Sequence, residues 1–369
     1  MNPMSPAFSS IRQMVAFVLL LMTFIGLPAF MGRTGLLDRR DVYPTIAWKY
    51  GFFPWIQQQV FTETADVDIA FVGTSHLWWA VDTPYVKETL SKQLGHDVNA
   101  ITLGWPWQGF DGVYTMAKDL LDHRHVKMLV ITDEGIANVP HNHSCRWFRI
   151  GENSDSLKGL SWLGQAQLYS GAILGMPRHL LSLVRPNIVE FSEQTPPNWW
   201  NARANQTDLN ISGNLGSIKM RKSIDTSHDF THFRPMGQAT SEDVISYSDR
   251  TASQFAFAGP PPEFQLHFAR KLAELCRERG TRLVLLNIPL LSDREKTVVP
   301  ERCHWPDVLG TPVDMVGIPP AKLFSGVEST DLNNLFYDND HLNQNGQEWF
   351  TQLITPMLGK LYVTSASRQ

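Results

Sequence analysis

Apolar and polar positions along this chain follow two periods, and the switches between them outline its elements. Residues 67–72 (VDIAFV), 97–103 (DVNAITL) and 126–132 (VKMLVIT) are short, largely apolar runs. Gly73 and Gly104 close the first two. Runs of this length ended by turn residues predict buried strands. Between them, Val86, Leu90 and Leu94 at four-residue spacing, with Gly95 as a stop, predict a helix over 84–94. Val113, Met116, Leu120 and Leu121 predict another over 111–123. The pattern lapses from about 139 to 258, where prolines and paired tryptophans interrupt it. Within that stretch 160–184 reads as helical, and 200–255 is polar and reads as loop. The pattern then resumes. A helix over 262–279 carries Phe264, Phe268, Leu272, Leu275 and Cys276 on one face, and a strand follows over 282–288. A final helix over 344–361 carries Trp349, Phe350, Leu353, Ile354, Met357 and Leu361, with a bend expected at Pro356. Strands alternating with helices predict right-handed crossovers and a parallel sheet.

The N-terminal pattern differs. Met14 to Gly32 contains no charged residue over nineteen positions. As a helix rising about 1.5 Å per residue, it would reach across a bilayer core of about 30 Å. No small-x-small cleavage site follows, so an uncleaved signal anchor is the expectation. Arg12 precedes the run and Arg33, Arg39 and Arg40 follow it, a charge count that opposes export of the C-terminal part. A short N-terminal tail before a single apolar run is nonetheless the usual signal-anchor layout, and export is the orientation expected. Residues 33–65 read as a connector whose aromatics (Tyr43, Trp48, Tyr50, Phe52, Phe53, Trp55) suit a membrane interface or a lid on the domain. The expected organisation is an anchor over 1–32, a connector over 33–65, and a domain over 66–362 interrupted by an insertion at 139–258.

Composition narrows the function classes. The 369 residues are 43% hydrophobic and 18% charged, enough for a packed core and too apolar for global disorder. A net charge of −4 gives no electrostatic case for nucleic-acid binding. Three cysteines form neither a metal motif nor a disulfide framework. An oxidising compartment would permit one bridge, Cys145 to Cys303, while Cys276 falls on the apolar face of its helix. His141, His143 and Cys145 fit no standard zinc spacing. No metal and no cofactor is expected.

The candidate chemistry lies at the two ends of the α/β pattern. The first strand empties into Gly73-Thr74-Ser75-His76, a serine beside a glycine at the carboxyl end of a strand, where open α/β sheets place their sites. A serine needs a base to become a nucleophile. Near the C-terminus the chain reads FYDNDHLNQNGQEWF, with Asp338 three residues before His341. An aspartate so placed can fix the imidazole tautomer and leave the other nitrogen for the serine; Asp340 is a rival for that role.

An early Gly-x-Ser and a late Asp-x-x-His-Leu before a last helix resemble the GDSL/SGNH hydrolase superfamily, over roughly residues 65–135 and 280–360. The resemblance implies a flavodoxin-like three-layer α/β/α parallel sheet, the SGNH hydrolase fold, here with an N-terminal transmembrane helix and a long insertion. It implies Ser75 as nucleophile, His341 as base and Asp338 as its orienter. The family's aspartate between glycine and serine is Thr74 here. For the oxyanion it implies the Ser75 N–H, Gly104 after the second strand, and an asparagine after the third. Asn138 is the candidate asparagine, one residue off the family's Gly-x-Asn-Asp register. His76, Trp78, Trp107 and Glu134 lie where substrate would be met.

Anchored proteins with Gly-Thr/Ser-Ser-His and Asp-x-x-His-Leu are similar to accessory proteins that modify bacterial envelope polysaccharides, such as those of alginate acetylation and lipoteichoic-acid D-alanylation. The similarity implies acyl, most simply acetyl, transfer to a cell-envelope polysaccharide or glycan. It further implies supply by a multi-spanning membrane acyltransferase, on the periplasmic or extracellular side of a bacterial inner membrane. Two alternatives remain open at this point: a carbohydrate esterase or deacetylase of the same fold, and a non-catalytic glycan-binding or envelope assembly protein. In the last, Trp78-Trp79, Trp105-Pro106-Trp107 and Trp199-Trp200 would form a sugar platform.

Overall fold

The computed structural model describes residues 8–35, 37–43, 52–104, 109–132, 139–141, 143–151, 157, 159–177, 244–245, 262–291, 293, 305–318, 323–324, 335–336 and 341–366. In chain order the helices are α1 (Ile11–Arg33), α2 (Phe52–Phe61), α3 (Ser75–Ala80), α4 (Thr83–Leu94), α5 (Phe110–His123), α6 (Ser144–Arg149), α7 (Trp162–Leu174), α8 (Glu263–Glu278), α9 (Trp305–Leu309) and α10 (Gln344–Ala366). The strands are β1 (Val67–Gly73), β2 (Ala100–Gly104), β3 (Val126–Thr132), β4 (Val244–Ile245), β5 (Arg282–Leu286) and β6 (Asp314–Val316).

The chain divides into two compact units, Met1–Thr45 with Asn142–Glu190 and Ile46–His141 with Phe191–Gln369. In the first, α7 packs against α1 and α6, and Met31, Leu37 and Met176 form a small apolar core. The apolar run near the N-terminus forms α1, capped by Ser10, whose side chain accepts from the Gln13 N–H. Most of its first three turns expose apolar side chains, among them Phe17, Leu19, Leu20 and Met22. Among the described residues, however, no helix is long and apolar enough to cross a membrane. The start of the insertion expected to interrupt the domain joins α1 in this unit. Of its polar stretch only β4 is described, antiparallel to β6.

The second unit holds the sheet, in the order β2-β1-β3-β5-β6-β4. The five strands β2, β1, β3, β5 and β6 are parallel, an α/β sheet consistent with a flavodoxin-like fold. β1 is buried along its whole length, and β3 and β5 nearly so. Strands covered on both faces carry no polar alternation. Ile69, Phe71, Met128, Val130, Val284 and Leu286 point into one core with Val86 and Leu90 of α4 and Trp349, Phe350, Ile354 and Leu358 of α10. Their neighbours in sequence face the other way, as the two-residue period requires, on the side where α5 and α8 pack together.

β3 matches the apolar run that predicted it, and α4 starts one residue earlier than expected, at Thr83. Asp82 caps α4 by accepting from the Tyr85 N–H, and Gly95 ends it at φ 73°. β2 begins at Ala100 rather than 97. The Val98 N–H is taken by Ser91 Oγ and the Asn99 N–H by Asp68 Oδ2, while the Asn99 carbonyl still accepts from the Asp68 N–H of β1. β5 stops at Leu286, and α10 runs on through Pro356 to Ala366. From the connector, α2 packs on β2, where the Trp55 Nε1–H donates to the Thr102 carbonyl at 2.8 Å. A side-chain donor on an edge strand blunts its capacity to pair with another chain.

Candidate active site

Strand order reverses between β1 and β3: the chain leaves β1 towards β2 on one side and leaves β3 towards β5 on the other, so the two connections diverge at the carboxyl ends of β1 and β3, where open α/β sheets leave a crevice. Ser75 stands at that end of β1. A Cβ on Gly73 would meet Leu77 Cδ2 at 2.9 Å, so a larger residue there would have to shift that buried side chain. Thr74 is extended (φ −100°, ψ −173°), and its Oγ1 accepts from the His76 N–H at 3.2 Å. It caps α3, a task to which the short polar side chains of Thr and Asp are both suited. Ser75 is therefore the first residue of a helix, half-buried. Its N–H has no partner among the described residues, as expected for one of the first amides of a helix.

His341 is fixed by its neighbours. Leu342 is fully buried in the main core and bridges Phe336 across the chain. The Asn343 N–H donates to the Leu335 carbonyl at 2.9 Å, and Asn343 Oδ1 accepts from the Gly346 N–H at 3.0 Å, closing the first turn of α10. Gly346 lies directly on the Leu335 carbonyl, leaving no room for a side chain. With one residue anchored in the core and the next capping a helix, the imidazole is presented back towards α3. His341 Nε2 lies 3.0 Å from Ser75 Oγ.

The other predicted site residues fall into two groups. Gly104 is in register with Gly73, at the strand end beside the serine turn. The space over its Cα is filled by the indole of Trp78. Trp78 and Trp79 are both buried, at 7% and 6% exposure. The six-residue helix turns both side chains inward, which leaves little of either ring exposed for the substrate contact or sugar platform expected of them. His76 is likewise buried, its ring edge-on to that of His341 with centroids 6.3 Å apart, so it backs the base instead of facing an open cleft. Asp338, Asn138, Glu134 and Trp107 lie outside the described residues, as do Asp340, Trp105, Trp199, Trp200 and Cys303.

His141 is buried with its ring against Gly112, and His143 Nδ1 accepts from Arg146 Nε at 3.3 Å. Cys145 and Cys276 are free thiols. Burial pushes both thiols up, Cys276 to about 12, which makes them poor nucleophiles. A cavity of about 660 Å³ lined by Trp55, Thr83, Lys87, Asp97, Asn99 and others opens at the amino ends of β1 and β2, away from Ser75.

Two features had escaped the sequence reading. Asp111, in the first turn of α5, is completely buried. It accepts from the His141 N–H at 2.8 Å and from Gln265 Nε2 at 3.3 Å, and Gln265 also donates to the Val139 carbonyl. Desolvation raises its carboxyl to about 7, against the lowering pull of those bonds. An acidic residue in a first helical turn is ordinary in sequence, so nothing there signalled burial. The second is a pair of polar residues, Gln347 and Thr351, on the apolar face of α10. Four-residue spacing inside an apolar stripe was the available signal.

Comparison with protein-family models, curated proteins and solved structures gives no match to this chain.

Proposed function

We propose that this protein is a serine-dependent acyl-transfer enzyme with the SGNH hydrolase fold. The reading is carried by the 3.0 Å approach of Ser75 Oγ to His341 Nε2 at the carboxyl end of a central parallel strand. Nucleophile and base within hydrogen-bond reach are what activation of a serine requires. Ser75 attacks an ester carbonyl as Nε2 takes its proton. The Ser75 N–H, which has no partner among the described residues, donates to the oxyanion, joined in this proposal by Gly104 and Asn138. Asp338 orients the imidazole. The imidazolium returns its proton to the departing alcohol, leaving an acyl-serine. A second hydroxyl, deprotonated by His341, then resolves it.

The resemblance at Ser75 and at Asp338–His341 favours a polysaccharide hydroxyl as the acceptor, with acetyl as the acyl group and a multi-spanning membrane acyltransferase as its supplier. Water as acceptor would make the protein a carbohydrate esterase. The exposed apolar side chains of α1 support attachment to a membrane, and the periplasmic or extracellular side rests on the resemblance alone. Burial of Trp78 and Trp79 counts against a purely glycan-binding role based on that pair.

Incubation of the full-length protein with p-nitrophenyl acetate, followed by intact mass, tests the reading. An acetyl adduct on the wild type that is absent from Ser75→Ala is expected; equal labelling of both proteins overturns it. Adding an oligosaccharide acceptor and comparing acetylated sugar with free acetate separates transferase from esterase.

A further inference from the structure

The reaction proposed above needs Ser75 and His341 in register, yet each sits on an element that cannot hold itself. α3 has six residues, too few to be stable alone, and the last carbonyls of any helix have no intrahelical partner. In this protein two of those carbonyls, and that of the capping residue Val81, are taken by α10. Gln347 Nε2 donates to the Trp78 carbonyl at 2.9 Å and to the Val81 carbonyl at 3.3 Å. Thr351 Oγ1 donates to the Ala80 carbonyl at 3.2 Å and accepts from the Asp82 N–H at 2.9 Å. Both side chains are buried, Thr351 completely. Their neighbours Phe350, Ile354 and Leu358 are fully buried in the main core. Burying polar groups there costs free energy unless every one is bonded, and an apolar pair would give an ordinary core helix.

We infer that Gln347 and Thr351 are positioning residues that set the Ser75–His341 distance. His341 lies two residues before the cap of α10, and Ser75 opens the helix whose far end α10 holds. The four bonds join both partners to one rigid body. Sliding α10 by one residue would turn it by about 100° and move it by about 1.5 Å. That breaks all four bonds and carries His341 away from the serine. A rotation of that size would also turn the apolar stripe of α10 out of the core, but smaller shifts are resisted less by apolar contact, which is not directional, than by hydrogen bonds.

Thr351→Val removes both hydroxyl bonds at nearly constant volume, and Thr351→Ser keeps them. In the full-length protein, acylation of Ser75 by p-nitrophenyl acetate is expected to fall in Thr351→Val with little change in KM. The fall is expected to lie on the order of 10- to 100-fold, since misplacement of about 1 Å costs up to about 10² in rate. Thr351→Ser is expected to recover most of it. Acylation within twofold of wild type in a folded Thr351→Val protein overturns the inference. Should Thr351→Val not fold, Gln347→Asn is read instead: its amide stays polar but falls one methylene short of the two carbonyls, and unchanged acylation again overturns the inference. Imidazole NMR of His341 reads the geometry independently of turnover, through its ring shifts. These are expected to change in the variants as they do in Ser75→Ala, and unchanged spectra overturn the inference. A wild type that does not acylate ends the proposed reaction, whereas an acylating wild type with indifferent variants ends only the positioning role.

Discussion

The indole of Trp78 occupies the place where a side chain on Gly104 would begin. The two residues lie on adjacent elements of the serine turn, Trp78 in α3 and Gly104 at the end of β2, in register with Gly73. The indole holds α3 down against the strand ends from one side while α10 holds it from the other. Gly104→Ala therefore has to push Trp78 out. Overpacking of this kind costs about 3 kcal/mol, and the displaced helix carries Ser75. A loss of thermal stability together with weaker Ser75 acylation is expected. The double variant Gly104→Ala/Trp78→Ala should lose less than the sum of the single changes. Additive losses in denaturant melts would mean the contact is not what requires the glycine.

Ser75 and His341 should behave as one unit. Ser75→Ala and His341→Gln are each expected to abolish most acylation, on the order of 10³-fold or more, and the double variant to add little. Stopped-flow measurement of the acylation burst checks this. Multiplicative losses would show that the two side chains act separately.

Gly346 has no room for a methyl group between the Leu335 carbonyl and the Leu342 side chain. Gly346→Ala should unseat the first turn of α10, breaking the Asn343 cap. The expected cost is about 2 kcal/mol in stability, with His341 mispositioned and acylation lowered in the protein that remains folded. Urea melts and the acylation rate measure the two effects side by side.

Asp111 predicts a pH dependence of stability of unusual sign. Burial raises its folded carboxyl to about 7, above the ordinary value of 3.8. The native state thus binds a proton that the unfolded chain gives up between those values. Stability from this group is full below the lower value and is lost as pH rises towards 7, by about 4 kcal/mol at most. Asp111→Asn can keep an acceptor for the His141 N–H without a charge to bury. Melting temperatures from pH 5 to pH 8 should fall more steeply in the wild type than in Asp111→Asn, with the variant the more stable at pH 8. Parallel curves would remove Asp111 as the cause.

Asp68 predicts the opposite limb. Burial raises its carboxyl, but bonds from Lys127 Nζ at 2.7 Å, the Asn99 N–H and Tyr362 Oη outweigh that and hold it below the ordinary range. Its stabilisation is present above about pH 4 and is lost as pH falls through the depressed value. Lys127→Met is expected to cost about 1 kcal/mol at pH 7, a modest figure because the lysine is 40% exposed. The cost should vanish in acid, and melts at pH 7 and pH 3 compare the two conditions.

Much of this arrangement was legible in the chain. The runs of β1 and β3 read as strands because, apart from Asp68 and Lys127 near their starts, they are almost wholly apolar and buried, as strands covered on both faces are. Gly95 ends α4 as its position suggested, since it takes the left-handed conformation. Ser75 and His341 were recognisable from the residues around them. The burial of Trp78 was not legible, because a six-residue helix is too short to show a period, and its aromatics look the same whether they face solvent or strand. Asp111 was missed because a carboxylate at a helix start normally faces water.

The sequence by itself determined the alternation of strands and helices, the glycine stops, the candidate nucleophile and the candidate base. These depend on residues within a turn or two of one another. Only the tertiary structure decided that the two candidates meet, that an indole fills the space over Gly104, and that two buried polar residues of α10 hold the end of α3. The physical reason is range. Periodicity and capping are local, whereas a contact across 266 residues exists only when the intervening sheet has packed, and packing depends on shapes that no single stretch of the chain contains.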